Sequence, residues 1–129
     1  MRLFQIALIL VSVASPFVAA ADDTFDVANA GGIVEFHIPV GTGQRAWNTP
    51  QTVVEVKVGQ TLRIYNDDSI AHYLHTPGRP CPHGTGRFNP GSFYDCQVSA
   101  EADPERDECY DHQFGPSSRF YVKATGALE

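Results

Sequence analysis

The chain lacks the features that mark several broad protein classes. Of its 129 residues, nine are Lys or Arg and fifteen are Asp or Glu, a net charge of −6. That balance excludes nucleic acid or an anionic membrane surface as the main partner, because phosphate contacts need a basic excess. Past residue 21 no apolar run approaches the ~20 residues that span a bilayer. Helical periodicity is weak beyond the same point. The nearest candidate, residues 100–108, is polar and interrupted by Pro104. The only methionine is Met1, so the rest of the chain offers no thioether. There is no Gly-x-Ser-x-Gly for a nucleophile elbow and no Cys-x-x-Cys-His for covalent haem. The pairs Gly41/Gly43 and Gly84/Gly86 lack the strand–helix setting of a phosphate loop and read as turns.

What is present begins with an address. Residues 1–21 read as a secretory signal peptide: Arg2, an apolar run over 3–13, Pro16, then Ala19, Ala20 and Ala21 as small residues at the cleavage site. No Cys precedes Cys81, so no lipid is attached at the cleavage point. The expectation is an exported chain, periplasmic or secreted, with no membrane anchor after cleavage. Residues 22–129 then form one domain. Export places Cys81, Cys96 and Cys109 in an oxidising compartment, where one pair can close and one thiol is left over.

The remaining pattern is of short strands. Residues 33–38 alternate, with Val34, Phe36 and Ile38 on one face. Residues 52–58 turn Val54, Val56 and Val58 inward and Glu55 and Lys57 outward. A Gly59-Gln60 turn leads to a strand at 61–66. Further strands are expected at 92–99 and 119–124, with turn-rich stretches between. Short strands separated by turn signals predict a small antiparallel sandwich or barrel.

Cysteine and histidine carry the chemistry. Cys109 and His112 are three apart just before the last expected strand, and a tight loop can turn both onto one metal. His72, at the end of an earlier strand, supplies a third donor. One thiolate with two imidazoles makes a trigonal set suited to copper in both oxidation states. The bland alternatives are an inert buried thiol for Cys109 and an ordinary loop histidine for His112. His37 reads as a surface histidine, and Asp67-Asp68 as turn carboxylates.

The run Gly59-Gln60-Thr61-Leu62-Arg63-Ile64-Tyr65-Asn66-Asp67-Asp68, followed by His72, resembles the cupredoxins, the small blue copper proteins of plastocyanin type. Cys109, His112 and the sequence Gln113-Phe114-Gly115-Pro116-Ser117 resemble their second ligand cluster. The resemblance spans about residues 53–124. It implies an all-β Greek-key β-sandwich of seven or eight strands, one type 1 copper per chain on His72, Cys109 and His112, and one-electron transfer between redox partners. The chain departs from the family in having no methionine for the axial position, where plastocyanin-like spacing places Ser117, and in having Tyr73 after the first histidine.

Cys81 and Cys96 are expected to form a disulfide. The alternative is a second metal site built from Cys81, His83 and His75. With it, the function shifts from an electron carrier to copper resistance, storage or delivery, with a copper donor or acceptor protein as partner. An enzyme is disfavoured, because three strong ligands leave little room for substrate. A zinc-binding or metal-free secreted domain stays open, since zinc accepts the same donors.

Overall fold

The computed structural model of the chain describes residues 31–126 except Thr85. The expected signal peptide at 1–21 lies outside the described residues. Eight strands follow in order: β1 (Ile33–Ile38), β2 (Val54–Lys57), β3 (Thr61–Asn66), β4 (Leu74–His75), β5 (Phe93–Gln97), β6 (Cys109–Asp111), β7 (Arg119–Phe120) and β8 (Val122–Thr125). A 3-10 turn, Pro116–Ser118, leads into β7. The stretch at 100–108 contains no helix. Among the described residues, no helix is long and apolar enough to cross a membrane.

The strands form three small sheets, ordered β1-β3-β5, β2-β8 and β4-β6-β7. They enclose one apolar core that draws on every strand, with Ile38, Trp47, Leu62, Ile64, Phe120 and Val122 among its most buried members. This is the all-β sandwich the sequence predicts, and alternation places its inward residues correctly. Val34 and Phe36 of β1 pack against the core and Ile38 is fully buried; in β3, Leu62 and Ile64 are also fully buried.

Two details differ from the sequence-based expectation. The sandwich is not purely antiparallel: β1 pairs with β3 in parallel, and so does β2 with β8. Parallel neighbours require a long crossover, and between β1 and β3 the 41–50 loop and β2 supply it. The single strand expected at 119–124 is also two. Arg119 and Phe120 pair with β6, whereas Val122 onward pairs with β2.

The switch between sheets falls at Tyr121. There the Asn48 side chain stands in for a strand. Its amide donates to the Tyr121 carbonyl (2.9 Å), and its carbonyl accepts from the Tyr121 N–H (2.7 Å). A strand that changes sheets makes the corner of a sandwich.

Candidate metal centre

The segments carrying the sequence-predicted donors meet at one end of the small sheet β4-β6-β7. Leu74 of β4 faces Asp111 of β6 across the ladder, and His75 faces Tyr110. Successive side chains on a strand point to opposite faces. Along β6, Cys109 and Asp111 are therefore buried, while Tyr110 is only half-buried and His112 is exposed. The two residues that the Cys-x-x-His spacing was expected to turn onto one metal differ in exposure: Cys109 is buried within β6, and His112, just past the strand's end, is exposed.

Cys109 is a free thiol in the core. Its Sγ makes only long contacts, to the carbonyls of Arg79 (3.9 Å) and Asp107 (3.8 Å). Burial, with a smaller push from the Asp107 carboxylate, drives its pKa up to about 12. Without a metal, a thiol raised to that extent stays protonated and packs as part of the core.

His72 is fully buried, and both its ring nitrogens are occupied. Nδ1 lies 2.6 Å from Asp111 Oδ2 and Nε2 lies 3.0 Å from Asp68 Oδ2. Burial alone lowers an imidazole pKa, but the bonds to Asp111 and Asp68 outweigh it, and the net shift is upward. Asp68 is held at about 2. Its burial works against the charge, and donors from Gly43, Ser69, His72 and Gly41 overcome that. With a carboxylate acceptor on each ring nitrogen, both nitrogens donate and neither keeps a lone pair for a metal. The structure thus does not bring His72, Cys109 and His112 together as a donor set.

Three of the five histidines do meet, on the outer side of the same sheet. They come from three separate segments: His75 from β4, His83 from the loop after Cys81, and His112 from the end of β6. Ring centres are 4.7 Å apart for His75–His83, 5.4 Å for His75–His112 and 6.5 Å for His83–His112. Nδ1 of His75 and Nδ1 of His112 are 3.3 Å apart. Aromatic walls orient two of the rings: Tyr110 stacks on His75, with ring centres 4.4 Å apart, and Tyr73 meets His112 edge-on. Burial, then the charges His83 and His112 would carry, lower the pKa of His75 and favour its neutral form. The three rings are neighbours rather than a closed donor set: among the described residues, no three His, Cys, Asp or Glu already form a metal-holding group.

The disulfide places His83. Cys81 and Cys96 are bonded as expected, which ties the 76–83 loop to β5. Thr76 is fully buried at the hub of that loop. Its hydroxyl donates to the Cys81 carbonyl (2.9 Å), and its own carbonyl accepts from His83 Nδ1 (2.8 Å). Tyr73 Oη donates to the Gly84 carbonyl (3.1 Å). Gly84 has no side chain because none fits: a Cβ there would stand 2.6 Å from Tyr94 Oη and 3.3 Å from the Leu74 carbonyl. The loop therefore lies close on β4, with His83 over His75.

Ser117, the expected axial position, is exposed in the 3-10 turn, with its hydroxyl 3.5 Å from the Phe114 carbonyl. His37 is a surface residue, 2.7 Å from Asp67 and stacked on Tyr65. The partnership of Asp68 and Asp111 with His72 escaped the sequence reading. Its only trace was the inward phase of Asp111 on a strand too short to recognise.

No protein-family model matches the chain, and no curated protein matches it. Solved structures do. A purple cupredoxin from Nitrosopumilus maritimus superposes with a TM-score of 0.51 at 20% identity, over 71% of this chain and 99% of that one. An amicyanin variant in its reduced state gives 0.54 at 18% identity, over 74% and 85%. A Cu(I) amicyanin variant gives 0.52 at 16%, over 78% and 87%.

Proposed function

With the cupredoxin fold as premise, we propose that the chain is an exported copper-binding protein that takes up and hands on copper, in resistance, storage or delivery. The observation that carries this reading is the separation of Cys109 from His112. The thiol points into the core and the imidazole points out, so a copper on the solvent side has nitrogen donors at hand and no thiolate. Strong thiolate bonding on a rigid frame is what suits a blue copper site to fast one-electron exchange. Imidazole donors near the surface suit binding and release instead. The partner is then a copper donor or acceptor protein. The Cys81–Cys96 disulfide agrees with an oxidising, exported setting.

Electron relay with a redox partner is the second reading. It is favoured by the superposition on a purple cupredoxin along nearly the whole length of that protein.

One experiment separates the two. One equivalent of Cu(II) is added to residues 22–129 and the visible spectrum is recorded. Weak ligand-field absorption with one copper bound per chain, passed on to a copper chelator or acceptor, supports uptake and transfer. An intense blue, green or purple charge-transfer band means a copper–thiolate bond and restores electron relay on Cys109.

A further inference from the structure

We propose that His75, His83 and His112 form one mononuclear copper site with three imidazole donors and no sulfur. The proposal rests on the copper-binding reading above and assigns its ligands.

Geometry is the first support. Two nitrogens about 2.0 Å from one ion at a tetrahedral angle stand about 3.3 Å apart. That is the Nδ1–Nδ1 separation of His75 and His112. With the ion about 3.2 Å from each ring centre, ring centres around one metal lie about 5.2 Å apart at the tetrahedral angle. The His75–His83 and His75–His112 separations, 4.7 and 5.4 Å, bracket that value, and the His83–His112 separation of 6.5 Å exceeds it.

Hydrogen bonding is the second support. A histidine ligand commonly donates its other ring N–H to a carbonyl or carboxylate, which fixes its tautomer. His83 does this: Nδ1 donates to the Thr76 carbonyl, so Nε2 carries the lone pair. His75 and His112 turn Nδ1 toward each other instead. Without a metal, at most one proton can lie between those two atoms; with one, both lone pairs are used. Closing the set asks the exposed His83 ring to turn Nε2 toward that pair while its Nδ1 bond holds.

The chemical class of the ion follows from the donors. Three neutral imidazoles bind Cu(II) more tightly than Zn(II), while a tetrahedral spacing suits Zn(II) better than the square-planar preference of Cu(II). His83 and His112 are both exposed, so the ion meets solvent on one side. That side is where a copper-exchanging partner would add its own donor.

The test uses residues 22–129 with one equivalent of Cu(II), read by pulsed EPR for coupled imidazole nitrogens and by chelator competition for affinity. Three imidazoles are expected in the unaltered protein. His83→Gln should leave two and weaken affinity by about a hundredfold, at or beyond the 10–100-fold typical of losing an outer-shell partner. His112→Gln should act likewise, and His37→Gln should change neither readout. His83 is exposed, so its variant is expected to fold, and an unchanged urea midpoint checks this. If copper binds but the imidazole count is the same in His83→Gln, this ligand set is overturned while copper binding stands. If the unaltered protein fails to hold copper against the chelator, the copper-binding reading falls, and the site with it.

Discussion

The imidazole of His72 bonds the carboxylate of Asp111 at 2.6 Å, with both side chains fully buried. Asp111 immediately precedes His112, and His72 opens the segment that leads to His75. The contact therefore locks together two chain segments, one carrying the exposed imidazole of His112 and the other the half-buried imidazole of His75. Two further bonds join them: the His112 N–H donates to the Tyr73 carbonyl (2.7 Å), and the Gln113 side chain donates to the Ala71 carbonyl (3.0 Å).

That lock makes apo-protein stability depend on pH in a defined direction. The folded pKa of His72 is raised, so its contribution is complete below the unfolded imidazole value of about 6.5. It is lost as pH rises through the folded value. Asp68 acts at the other end. Its folded pKa is lowered to about 2, so its contribution is complete above the unfolded value of about 3.9 and is lost as pH falls toward 2. Urea midpoints of the metal-free protein should fall on both sides of a slightly acid to neutral maximum. His72→Gln should remove the alkaline fall and lower stability by about 3–5 kcal/mol, because the Asp68 and Asp111 carboxylates are both left buried without their shared cation. An alkaline limb that survives in the variant would show that another group causes it.

Cys109 should prove inert. Its thiol is buried and its pKa is raised to about 12, so alkylation by iodoacetamide at pH 8 should be far slower than for a free cysteine. Cys109→Ala should leave the copper spectrum and affinity unchanged and cost about 1 kcal/mol in lost packing. Loss of a visible band in this variant would put the thiol back on the metal.

The disulfide should act on stability and affinity together. Replacing both Cys81 and Cys96 with Ala opens a bridge of sequence separation 15. That should cost about 3 kcal/mol. Because Cys81 lies two residues before His83, the same variant should bind Cu(II) more weakly at a temperature where it is still folded. Unchanged affinity would mean that the Thr76 hydrogen bonds alone hold the loop.

Gly84→Ala probes the same loop without touching a donor. The new methyl would stand 2.6 Å from Tyr94 Oη and 3.3 Å from the Leu74 carbonyl, so the loop must lift by a few tenths of an ångström. Copper affinity should drop about tenfold with a near-native urea midpoint. Equal affinity would show that His83 reaches the metal from either loop position.

Much of this protein was legible in its sequence because alternation is a local property. Val34, Phe36 and Ile38 in β1, and Leu62 and Ile64 in β3, announce strands with one buried face, and a chain of such strands closes into a sandwich. The disulfide and the histidine-rich segments were legible too, since residue type decides what can bond sulfur or copper. Tertiary structure alone decided which histidines meet. β4 and β6 are only two and three residues long, too short to show a phase, yet that phase turns Cys109 inward and His112 outward. The carboxylates that saturate His72 come from positions four residues before it and 39 after it, and only the pairing of β4 with β6 places the second one. Composition determined the donors on offer. The register of one short sheet decided that imidazole, rather than thiol, faces the solvent.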